Sequence, residues 1–230
     1  MKHVLSVFAV LLLAVGSLYA QMKLVALKGD VSIRHGVNEQ WVTVAKGDVL
    51  KPDDSIRLGE KSIATIVTDN NTKLQIPEMT LIDLSDLRML TQDELLLRLT
   101  MERVRTIPDQ NRENDFHIPH TTTIHGANKD ISPIAIPAMN STGVMQLNGV
   151  KVLYDNGFYA TSALKAKKVF RLIPQTAEMI DSRLLVASAL EKMNLNGEAL
   201  TEYLEISKQP LSESQRVIVD GKIALLKKKG

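Results

Sequence analysis

The spacing of apolar residues changes once along this chain of 230 residues, and that change limits what the chain can fold into. From Met22 to about Ile107, short runs with a period of two alternate with turn residues. Leu24-Val25-Ala26-Leu27 precedes Gly29-Asp30, Val31–Arg34 precedes His35-Gly36-Val37-Asn38, and Trp41–Val44 precedes Lys46-Gly47-Asp48. Ser55–Leu58 ends at Gly59, Ser62–Val67 ends at Asp69-Asn70-Asn71, and Thr72–Ile76 and Thr80–Leu84 follow with Pro77 between them. Alternation bounded by Gly, Asp and Asn reads as half-buried strands, so this part is all-β. From Val144 onward Pro and Gly thin out and apolar residues recur at helical spacing. The fold class is therefore α+β, with strands first and helices after.

Between the two lies a less regular stretch. Leu95, Leu96, Leu97 and Leu99 suit a helix by propensity, while Leu95, Leu97 and Leu99 also fit one face of a strand. Two further strands broken near Met101-Glu102 are expected over Thr91–Thr106, for a reason of resemblance given below. Asp109–Asp115 is polar and turn-rich, Phe116–Ile124 suits a last strand pair, and Asn128–Gly143, with Pro133 and Pro137, reads as a linker. The domain reading is thus a leader over 1–20, a β domain over 21–127, a linker over 128–143 and a helical domain over 144–230.

The helical part contains a repeat. Placing Ala163-Leu164 over Ala199-Leu200, 36 residues on, also places Phe170 over Ile206 and Pro174 over Pro210. Helices are expected over Gly143–Asn156, Tyr159–Leu172, Glu178–Met193 and Gly197–Lys208, paired as antiparallel hairpins. Ser212 with Gln215 forms a capping box for one more helix, and Lys227, Lys228 and Lys229 suit the C-terminal end of its dipole. That helix reads as the cap of a solenoid.

The first twenty residues read as a cleavable secretory signal. Lys2 and His3 precede an apolar run over Val4–Val15, interrupted by Ser6, and small residues lead to a cut after Ala20. A run this short does not span a bilayer, which needs about 18 residues, so no transmembrane anchor is expected after cleavage. No cysteine is present, which excludes disulfides, thiolate ligands and a lipidated N-terminal cysteine. The formal net charge of +2, with both signs interspersed, offers no field for nucleic acid. Scarce aromatics, with Trp41 the only tryptophan, argue against base stacking and weaken a sugar-binding reading.

Gly29-Asp30-Val31, Trp41, Lys46-Gly47-Asp48-Val49-Leu50, Asp53–Gly59, Ser62–Ile66 and Thr72–Ile76 follow one another as in the FecR domain, which the β unit resembles. The resemblance implies a module of exported proteins, strands continuing beyond Thr91, and Trp41 packed across the β core. It departs at Ile118–Ala127, where the family's Arg-Gly-Thr is incomplete, and no cytoplasmic effector region or membrane helix accompanies it. Direct control of a sigma factor is therefore not implied. Ala187, Ala199, Tyr203 and Pro210 carry a resemblance of the helical part to tetratricopeptide repeats. That resemblance implies a concave surface on the first helix of each pair, with Asn148, Asp155, Asp181, Ser188 and Glu191 toward a protein partner.

No residue pattern supplies catalysis. His117, His120 and His125 are close in sequence but match no metal-ligand spacing, so polar loop residues are the plainer reading. Asp53-Asp54 and Asp69-Asn70-Asn71 sit where turns are expected and read as turn formers rather than calcium ligands. Asp30 and Asp48 read as hairpin residues, and no nucleophile elbow or phosphate loop is present. The expected function is a non-enzymatic periplasmic or secreted scaffold of the cell envelope, without catalytic residues, cofactor or metal, that binds envelope proteins. The alternative is an extracytoplasmic sensor or binder of a small ligand or envelope glycan.

Overall fold

The structure, a computed structural model, describes residues 22–106 and 136–228. The expected signal segment, the three clustered histidines and the expected strand pair over Phe116–Ile124 lie outside the described residues. The chain divides into two compact units, one up to Glu78 together with Asp83–Ser85, the other Met79–Ile82 together with the chain from Asp86.

The first unit is built from short antiparallel strands: β1 (Met22–Lys28), β2 (Val31–Arg34), β3 (Val42–Thr43), β4 (Val49–Leu50), β5 (Ser55–Leu58), β6 (Ile63–Val67) and β7 (Lys73–Ile76). One sheet runs β4-β1-β6-β7, and in a second β3, β2 and β5 are neighbours in that order. Leu24 pairs with Ile66 and Ile66 with Leu74 across the first sheet, while Ile33 pairs with Ile56 in the second. Pairing partners share a face, so the alternation seen in sequence becomes one apolar layer per sheet. Leu24, Leu50, Ile56, Leu58, Ile66 and Ile76 are fully buried there, each contributing on the order of 2 kcal/mol of transfer free energy. Ile63, on the other face of β6, is exposed.

The β1–β2 turn requires its glycine. Gly29 sits at φ +83°, and a Cβ there would lie 2.5 Å from Ser62 Oγ, the atom that accepts the Asp30 N–H. Trp41 is half-buried and does not cross the apolar core; Arg57 and Arg34 approach its ring to 4.4 and 5.2 Å. The ring is thereby an apolar plate for two guanidinium groups on neighbouring strands.

The second unit begins with β8 (Thr80–Asp83), most of which belongs to it, and among the described residues continues in six helices. These are α1 (Gln92–Thr106), α2 (Ile136–Asp155), α3 (Tyr159–Leu172), α4 (Ile180–Lys192), α5 (Asn196–Ser207) and α6 (Glu213–Lys227), with a 3-10 turn over Pro174–Glu178. Each helix from α2 to α6 packs on the next, α2 also packs on α4, and α1 packs on α3. Buried small residues line these contacts: Ala163, Ala166, Ala187, Ala189 and Ala199 have no exposed surface. The superposed pair Ala163 and Ala199 is thus buried in both hairpins, although Phe170 is only half-buried where Ile206 is fully buried. Ser212 and Gln215 form the expected capping box at the start of α6.

Two expectations are corrected. Thr91–Thr106 does not form two strands; from Gln92 it is one helix. Leu95 is fully buried and Leu99 packs on the same core, while Leu97 is 64 % exposed. A strand would have put all three on one side, whereas helical spacing separates Leu97 from the other two. The local signal was present: the Thr91 hydroxyl accepts the Glu94 N–H and the Glu94 carboxylate accepts the Thr91 N–H, a capping box. Arg171 of α3 then donates to Glu102 at 2.9 Å and holds the helix down. The linker expected over 128–143 lies partly outside the described residues, and from Ile136 its remainder is already helix. Pro137 is compatible with that because the first helical turn needs no N–H, and Gly143 fits where a Cβ would meet Thr176 at 2.8 Å. Among the described residues, no helix is long and apolar enough to cross a membrane.

Candidate functional site

The residues predicted to face a partner lie on α2 and α4, and the structure uses most of them to tie helices together. The Tyr154 and Ser188 hydroxyls share a 2.6 Å hydrogen bond that joins α2 to α4. Gln215 of α6 donates to Asp181 of α4 at 3.0 Å. Glu191, near the end of α4, accepts from Tyr203 of α5 at 2.6 Å and from Lys222 of α6 at 2.9 Å. The Tyr154–Ser188 and Asp181–Gln215 pairs each span 34 residues.

These links form a polar row across α2, α4 and α6. The row is half-open to solvent: the Glu191 side chain is 16 % exposed and that of Lys222 38 %. Burial of the Tyr203 ring raises its phenol pKa well above the ordinary value, and the hydrogen bond to Glu191 adds to the rise. Tyr159 meets Tyr154 edge to face at 5.2 Å and fixes the ring that reaches Ser188.

The other two predicted residues stand apart. Asp155 is exposed at the end of α2 and pairs with Lys151 one turn before it, at 2.7 Å. Asn148 points away from the row and donates to the Met79 carbonyl at 2.7 Å. Ser188 and Glu191 are therefore brought together with Asp181 in one row, Asp155 lies exposed at its rim, and Asn148 serves as a structural tie. Tyr154 and Lys222 were not singled out from sequence; the 34-residue spacing from each to Ser188 was the available signal.

In the first unit the acidic turn residues hold turns. Asp48 Oδ2 accepts the Ala45 N–H, and the Asp30 N–H donates to Ser62. Asn70 accepts from the Thr68 hydroxyl within the Asp69–Asn71 turn. Asp53 is exposed, but Asp54 is buried and receives His35 Nδ1 and the Lys51 N–H, both at 2.8 Å. Among the described residues, no three His, Asp or Glu side chains are placed to hold a metal ion. The family models, the curated proteins and the solved structures contain no match to this chain.

Proposed function

We propose that the protein is a non-enzymatic scaffold exported to the cell envelope, where it binds partner proteins along the row on α2, α4 and α6. The carrying observation is the row itself: Tyr154, Ser188, Asp181, Gln215, Glu191 and Lys222, with Lys151 and Asp155 at its rim, lie on the first helices of successive hairpins. The 34-residue spacing of Tyr154, Ser188 and Lys222 and of Asp181 and Gln215 equals the tetratricopeptide period, which supports a tetratricopeptide-like reading of the second unit. Stacked hairpins of that kind present their first helices as a binding surface. Because the internal hydrogen bonds fix the row before any partner arrives, little ordering cost falls on association. The β unit, read as FecR-like, would be the second recognition surface.

The test is photo-cross-linking in cells, with the reactive residue placed at Asp155 or Asp181 and, as a control, at exposed Lys73 of β7. The reading expects both row positions to capture the same envelope protein and Lys73 not to capture it. Equal capture at all three positions, or none, overturns it.

A further inference from the structure

We infer that α6 associates antiparallel with α6 of a second copy of this chain, with Gly221 at the two-fold axis. On its inner face α6 buries Val219 and Leu226 in the helical core. Its outer face carries Val217, Ile218 and Leu225, which are 69, 52 and 46 % exposed, and Ser214, Gly221, Ala224 and Lys228 are exposed along the same line. The outer face of α6 thus presents a stripe of apolar residues at helical spacing.

The stripe is self-complementary in sequence. Val217 and Leu225 stand four residues before and after Gly221, and Ile218 and Ala224 stand three before and after it. An antiparallel pair centred on Gly221 sets Val217 against Leu225 and Ile218 against Ala224, twice each, as an isologous interface requires. The charges agree with that direction. Glu213 in the first turn of one helix comes beside Lys227 and Lys228 at the end of the other. A parallel pair would instead set like charges and like dipole ends together.

Gly221 supports the same geometry. Glycine within a helix is less stable than alanine. A Cβ at Gly221 would meet no described residue within 4 Å, so packing inside the described chain does not call for a glycine. Close approach of two helix backbones at their crossing does call for one. The contact uses the face of α6 that points away from the core and is separate from the polar row.

Sedimentation equilibrium of the purified protein across the micromolar range tests the dimer. The wild type is expected to pass from monomer to dimer, and the double variant Val217→Asp, Leu225→Asp to stay monomeric with an unchanged helical spectrum. Because the chain has no cysteine, single-cysteine variants test the geometry even if the charged variant folds poorly. Val217→Cys mixed with Leu225→Cys is expected to give a disulfide-linked dimer on mild oxidation, and each variant alone to give little. A wild type that remains monomeric, a dimer untouched by the two aspartates, or self-linking that exceeds linking in the mixture overturns the inference.

Discussion

Tyr203 of α5 donates its phenolic hydrogen to Glu191 of α4 at 2.6 Å, and the same carboxylate accepts Lys222 of α6 at 2.9 Å. One side chain thereby joins three helices. Tyr203 is 2 % exposed, so its hydroxyl has little access to water and depends on Glu191 for a partner.

Tyr203→Phe keeps the ring and removes the donor. A hydrogen bond to a charged group contributes about 1.5–3 kcal/mol, and Lys222 still satisfies part of Glu191, so a loss near the lower figure is expected in urea denaturation. The pH dependence has a definite sign. Because the folded phenol pKa is raised, the tyrosine in the unfolded chain loses its proton first as pH rises above about 10. Stability is therefore whole below that pH and falls above it. The variant should lose that component, flattening the alkaline slope by up to about 1.4 kcal/mol per pH unit.

The capping box at α1 makes an acid-side prediction. Glu94 is held below the ordinary carboxylate range, first by the Thr91 backbone N–H and then by the Thr91 hydroxyl. Its contribution is present above about pH 4.3, the unperturbed glutamate value, and is lost as pH falls through the lowered one. Thr91→Ala should speed amide hydrogen exchange over the first turn of α1 at neutral pH. In that variant, acidification should cause a smaller further change than in the wild type.

Asp53 and Asp54 are adjacent and chemically alike, yet only Asp54 is buried. Asp54→Ala strands the Lys51 N–H and removes the partner of His35, so a loss of about 2–3 kcal/mol is expected. Asp53→Ala should stay within about 0.5 kcal/mol of wild type, as surface changes generally do. Thermal melts of the two variants side by side measure the contrast.

Periodicity made most of the fold legible, because a period of two with Gly-Asp turns and a helical period with a capping box at Ser212 each specify one local structure. Where resemblance was weighed above local chemistry, the residues were the better guide: Thr91 and Glu94 marked a helix that the expected strand series overrode. The strand β4 escaped because two residues, Val49 and Leu50, are too short to display a period. The site was legible as a region but not in its detail. Helical spacing shows that Ser188 and Glu191 share a side of α4, while only tertiary packing shows that Tyr154 and Lys222 reach them from other helices.

Gly149 separates two explanations for a glycine inside a helix. It is buried in the middle of α2, and a Cβ built on it would lie 2.2 Å from the Leu81 carbonyl oxygen and 3.0 Å from Ile82 Cγ1. The first obstacle is backbone, which cannot rotate aside, so Gly149→Ala must displace either α2 or the strand segment. A loss of about 3 kcal/mol is expected, at the upper end of overpacking costs, despite alanine's better helix propensity. Gly197, in the first turn of α5, has nothing within 4 Å of the same position among the described residues. Gly197→Ala should therefore stabilise by about 0.5–1 kcal/mol, since only the backbone entropy changes. Opposite shifts of the urea midpoint for the two variants are the expected result. A neutral Gly149→Ala would mean that Met79–Ile82 does not pack against α2 as described.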